Sequence, residues 1–66
     1  MMPYITVTSG LRGYFAVLVT WDEECGYVPW CTSPFSHDTP SGAEDDAAEW
    51  AAAEGIEYRA SSAHHP

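Results

Sequence analysis

The run of residues 14–21, Tyr-Phe-Ala-Val-Leu-Val-Thr-Trp, constrains the fold of this chain more than any other segment. It holds no charge, no Gly and no Pro, and it is dense in β-branched and aromatic side chains. Such a run reads as a β-strand. Side chains alternate across a strand, so Tyr14, Ala16, Leu18 and Thr20 share one face and Phe15, Val17, Val19 and Trp21 the other. Both faces are apolar, which predicts a central strand. A chain of 66 residues has room for one domain built around such an element.

The flanking segments supply its neighbours. Residues 4–8 form a β-branched stretch with loose alternation, and residues 9–13 carry the chemistry of a turn. Asp22, Glu23 and Glu24 mark an exposed turn, and residues 25–30 read as a third strand. Pro29 assigns that strand to a sheet edge or a bulge, because proline cannot donate to a ladder. The stretch from Cys31 to Thr39 is a loop rich in Ser, Thr, Pro and Asp.

A helix begins next. Thr39 followed by Pro40 fits an N-cap with proline at the first helical position. Ser41 with Glu44 is a competing capping box. The helix runs to about Glu54 and stops at Gly55. Ala43, Ala47, Trp50 and Ala51 share one helical face, with Asp45 and Glu49 opposite and Asp46 on the flank. Residues 56–59 make a short fourth strand. The expected fold is therefore α+β, in the order β-β-β-α-β: an antiparallel sheet of three to four strands with one helix packed on one face. Residues 1–60 form the domain and residues 61–66 a flexible polar tail.

One helix covers one side of a sheet. The other side is left to water, a second copy or a partner. The chain stiffens its small core with nine aromatics, a 14% share that excludes an acidic disordered tail. Phe15, Trp21, Trp30 and Trp50 are expected in the core. The tract from Tyr27 to Cys31 is unusually apolar for an edge strand. Cys25 and Cys31 stand about 20 Å apart if a strand joins them, too far for a disulfide, so both are expected as free buried thiols. They make a poor zinc signature.

Enzymatic chemistry has little footing. There is no Gly-rich phosphate loop before a helix, no G-x-S-x-G and no H-E-x-x-H. His37-Asp38 with Cys25 or Cys31 could make a Cys-His-Asp arrangement, but a loop His beside an Asp that shapes the turn before the helix is the preferred reading of the pair. His64 and His65 lie in the tail. No catalytic residue, metal or cofactor is expected. The start of the chain lacks a charged and an apolar signal region, and no run approaches the roughly 20 residues that span a bilayer.

Charge gives the functional direction. Ten carboxylates face two arginines and no lysine, for a formal net charge of -8. That balance repels nucleic acid and anionic lipid, and attracts basic protein surfaces. The acids fall into sets: Asp22, Glu23 and Glu24 in a turn; Glu44, Asp45 and Asp46 near the helix start; Glu49, Glu54 and Glu57 beyond. Each set has a local use, such as solvating a loop or favouring the helix dipole. As a pattern without lysine, they also imitate a row of phosphates against a basic groove. The candidate partner-binding residues are Asp45, Asp46, Glu49 and Glu44, with Asp22, Glu23 and Glu24 as a second patch.

Two tracts, Gly13-Tyr14-Phe15-Ala16-Val17-Leu18-Val19-Thr20-Trp21 and Ala47-Ala48-Glu49-Trp50-Ala51 through to Gly55-Ile56-Glu57-Tyr58, together with size and acidity, make the chain resemble small phage-encoded anti-CRISPR proteins, in particular inhibitors of type I-C systems. The resemblance implies a stoichiometric DNA mimic, not an enzyme, acting in the cytoplasm of an infected bacterium. Its partner would be a basic protein subunit of the type I effector complex (Cascade), often the large subunit, from which it excludes the target duplex or its PAM. It would contact neither nucleic acid nor membrane directly, as a monomer or weak homodimer. The alternative is a small adaptor that binds through the uncovered sheet face without charge mimicry.

Overall fold

The computed structural model describes residues 2–60. Four strands and one helix follow the order β1 (Tyr4–Gly10), β2 (Gly13–Asp22), β3 (Gly26–Thr32), α1 (Pro40–Glu54) and β4 (Glu57–Tyr58). They make one sheet in the order β3-β2-β1-β4, with α1 packed on one face. The domain is α+β. The expected tail lies outside the described residues.

The apolar run occupies the interior of the sheet. β2 pairs antiparallel with β1 on one side and with β3 on the other. The β1–β2 hairpin turns through Leu11 and Arg12 alone, and Gly10 pairs with Gly13. Both loop residues keep negative φ, so the left-handed step falls on Gly13, at φ 109°. Gly13 is needed for a second reason: a Cβ there would sit 2.5 Å from the carbonyl oxygen of His37.

β3 is an edge strand with a bulge, the two roles open to a strand containing Pro29. Pro29 pairs with Val19 and Cys31 with Leu18, leaving Trp30 as the extra residue. β4 differs from the antiparallel expectation. It joins β1 in parallel, with Tyr4 opposite Glu57 and Ile5 opposite Tyr58. The cause is the helix, which carries the chain back along the sheet so that β4 starts at the end where β1 starts.

The helix forms where its caps place it. Thr39 Oγ1 accepts from the Gly42 N–H, Pro40 opens the first turn, and Gly55 closes the last at φ 68°. The Ser41–Glu44 capping box is not used. Ala43, Ala47 and Ala51 are buried against Ile5, Val7 and Ala16, and Tyr14, Leu18, Trp50, Ile56 and Tyr58 pack around them. Small residues on the helix ridge bring it close to the sheet.

The opposite face of the sheet has no helix, yet Val17 and Val19 are buried there. The same face carries a packed set of aromatic side chains. Tyr27 meets Tyr4 and Trp21 edge-on, each with ring centroids 5.0 Å apart, and the Arg59 guanidinium lies 4.3 Å from the Tyr4 ring centre. What remains is a shallow groove lined by Thr6, Thr8, Phe15, Val17 and Val19 among others.

Two expectations about burial are corrected. Trp30 is 74% exposed and Trp21 42% exposed, not core residues. The bulge sets Trp30 outside the alternation, α1 covers β1, β2 and β4 rather than β3, and Trp21 points to the helix-free face beyond Val19, the last β2 residue opposite β1. Cys25 and Cys31 are free but exposed, not buried, for the same reason: one lies in the turn before β3 and the other on the uncovered edge.

Candidate functional site: an acidic helix face beside a pinned loop

The second turn of α1 carries Glu44, Asp45 and Asp46, and the next turn carries Glu49. The helix starts at Pro40, and its first turn holds no acid. Dipole stabilisation fades within the first turn, so it explains little of this cluster.

The four carboxylates divide by what they touch. Glu44 is half-buried, and its Oε1 accepts a 2.8 Å hydrogen bond from the Tyr58 hydroxyl, tying α1 to β4. Burial, then that bond, pushes the Tyr58 phenol up to about 12. Asp46 is also half-buried. Its Oδ2 accepts from Ser33 Oγ at 2.9 Å. The same oxygen lies 3.5 Å from His37 Nε2, within ion-pair reach but outside hydrogen-bond geometry; that nitrogen has no hydrogen-bond partner among the described residues. The His37 ring lies over the first helical turn because Gly42 has no side chain; a Cβ there would come within 3.2 Å of Nδ1. Asp45 and Glu49 are exposed, and their side chains make no hydrogen bond or ion pair with another described residue. They stand on one helical face, four residues apart.

The second patch lies elsewhere. Ser33 N–H bonds to the Ala16 carbonyl, which sets Asp46 level with the middle of β2. Asp22 is at the far end of that strand, about 20 Å on at roughly 3.3 Å per residue. Asp22 Oδ1 accepts from the Glu24 N–H at 2.8 Å and shapes the turn, while Glu23 and Glu24 face solvent. Asp22, Glu23 and Glu24 border Trp21, Val28 and Trp30. The candidate acids thus form two separate patches.

The sequence reading did not single out the loop that flanks the helix patch. Residues 33–38 continue the line of β3 beside β2, with His37 and Tyr14 exchanging backbone hydrogen bonds of 2.7 and 2.9 Å. Phe35, at the loop tip, is 65% exposed. It borders Asp46, Glu49 and Trp50 on one side and His37, Gly42 and Asp45 on another. An aromatic in a Ser/Pro loop was the available signal, since loops present binding residues.

The cysteine–histidine arrangement does not assemble. Cys31 Sγ turns to the Thr32 carbonyl at 3.9 Å, and the carboxylate near His37 is Asp46, not Asp38. Among the described residues no three His, Cys, Asp or Glu side chains converge as for a metal, and no helix is long and apolar enough to cross a membrane. No family model, curated protein or solved structure matches the chain.

Proposed function

We propose that the chain is an acidic inhibitor that occupies a basic, DNA-holding protein surface of a type I CRISPR effector complex and keeps target DNA from it. The observation that carries this reading is the pair Asp45 and Glu49. They are exposed, unpaired among the described residues and beyond the reach of the helix dipole, yet they ride on a backbone locked by Ala43, Ala47 and Ala51. Rigidly held carboxylates accept the same charge-assisted bonds from Arg and Lys as phosphates do. The longest dimension of the molecule, 33 Å, matches about one turn of B-DNA, roughly 34 Å. Asp22, Glu23 and Glu24 give a second contact, at the far end of β2, about 20 Å along that strand.

The adaptor reading through the open sheet face has less support. Val17 and Val19 are already buried on that face, and Tyr4, Tyr27 and Arg59 pack on one another there, so less apolar surface is left to a partner.

Charge reversal tests the proposal. Asp45→Lys with Glu49→Lys changes two solvent-facing side chains and preserves the fold, as circular dichroism would verify. Binding to the effector should fall by about a hundredfold or more, in line with loss of two close charge pairs. Unchanged inhibition by the folded double variant would contradict the proposal.

A further inference from the structure

We infer that the trough between α1 and the 33–38 loop seats an arginine side chain of the bound protein, with Phe35 and Trp50 as its aromatic walls and Glu49 as its carboxylate. This rests on the acidic-surface reading and adds a location and a residue type to it.

The trough has a volume of about 400 Å³ and is lined by Cys31, Pro34, Phe35, Asp46, Glu49 and Trp50, among others. Its aromatic wall is exposed but not loose. Ser33 Oγ accepts from the Phe35 N–H at 3.2 Å and donates to Asp46 Oδ2 at 2.9 Å. Ser33 N–H donates to Ala16, and His37 is bonded both ways to Tyr14. A ring held out on a pinned loop loses little conformational freedom on binding, which is the property of an interface anchor.

Charge complementarity selects the occupant. An apolar segment would strip water from Asp46 and Glu49 without replacing it. A nucleic acid meets carboxylates. A cation is accepted, and the two basic side chains are not equivalent. Guanidinium is planar and weakly hydrated, stacks on aromatic faces and still points N–H pairs at a carboxylate. Ammonium is compact and strongly hydrated, and gains less from Phe35 and Trp50. Asp46 is engaged by Ser33, so Glu49, one turn further along α1, is the group left to receive the fork.

The test is a titration of the isotope-labelled full chain with acetyl-Gly-Arg-Gly-Arg-Gly-amide and with its lysine counterpart, at equal ionic strength, followed by NMR. The arginine peptide should shift Phe35, Glu49 and the Trp50 indole N–H, and bind about fivefold tighter than the lysine peptide. Phe35→Ala should reduce its affinity to the lysine level while leaving distant resonances in place. Glu49→Gln should weaken both peptides. Equal binding of the two peptides, spread over Asp45 and residues 22–24 and indifferent to Phe35→Ala, would overturn the arginine seat and leave the acidic-surface reading standing. No shift from either peptide would also overturn it, while competition between the chain and DNA for the effector would still judge the acidic surface.

Discussion

The Tyr58 hydroxyl bonded to Glu44 shows how single residues divide between holding the fold and facing outward. A phenol pushed up to about 12 from an ordinary value of 10.0 stabilises the folded state while it is protonated. The sign follows from linkage: the contribution is complete below the unfolded value and is lost as pH rises through the window from about 10 to about 12. Chemical denaturation at stepped pH should show stability falling across that window, and Tyr58→Phe should flatten this part of the fall. A fall of equal steepness in Tyr58→Phe would remove the assignment. Gly13 makes a harder demand. Alanine there meets both a positive φ and the His37 carbonyl, so Gly13→Ala should cost about 1–3 kcal/mol in urea denaturation. A neutral result would mean that the loop beside Tyr14 yields more readily than its paired backbone bonds imply.

At the scale of elements, α1 depends on an alanine ridge. Ala47 is fully buried against the sheet, so Ala47→Leu should overpack that contact and destabilise the domain by about 1–3 kcal/mol, read as a lower thermal midpoint. A raised midpoint would reveal unfilled space there. The same ridge was legible in the sequence, because helical phase puts Ala43, Ala47 and Ala51 in one line, and Thr39, Pro40 and Gly55 mark the ends. The two-sided apolarity of residues 14–21 likewise announced the interior strand. Alternation failed at Trp30, since a bulge removes a residue from the period and nothing local signals on which side it will stand. It failed at the cysteines because burial at an edge depends on how far one helix reaches, and at Trp21 because that side chain faces away from the helix beyond the end of the β1 pairing. The parallel direction of β4 escaped for a related reason: a two-residue strand carries no directional pattern, and the crossover decides it. Within the candidate site, helix phase separated Asp45 and Glu49 from the core. It did not show that Asp46 and Glu44 are tied to Ser33 and Tyr58, since those partners stand 13 and 14 residues away in the chain.

At the scale of the molecule, a net charge of -8 on a body 33 Å long is compatible with folding because most acids are spread over two patches and the outer helix face, while Glu57 on β4 is neutralised by its 3.2 Å ion pair with Arg59. That separation leaves a surface with one face nearly neutral and aromatic, and another with carboxylates on rigid backbone beside an exposed aromatic. The proposed inhibition follows from the second face, and it has an electrostatic signature. Association driven by many exposed charges is fast and steeply weakened by salt, whereas burial of an apolar face is not. The deciding measurement is target-DNA binding by a purified type I-C effector complex, with and without this protein, over a salt series. The expected result is loss of DNA binding at low salt, with inhibition fading steeply as salt rises and absent from the Asp45→Lys, Glu49→Lys variant. A chain that neither binds the complex nor displaces its DNA at any salt concentration would contradict the proposal.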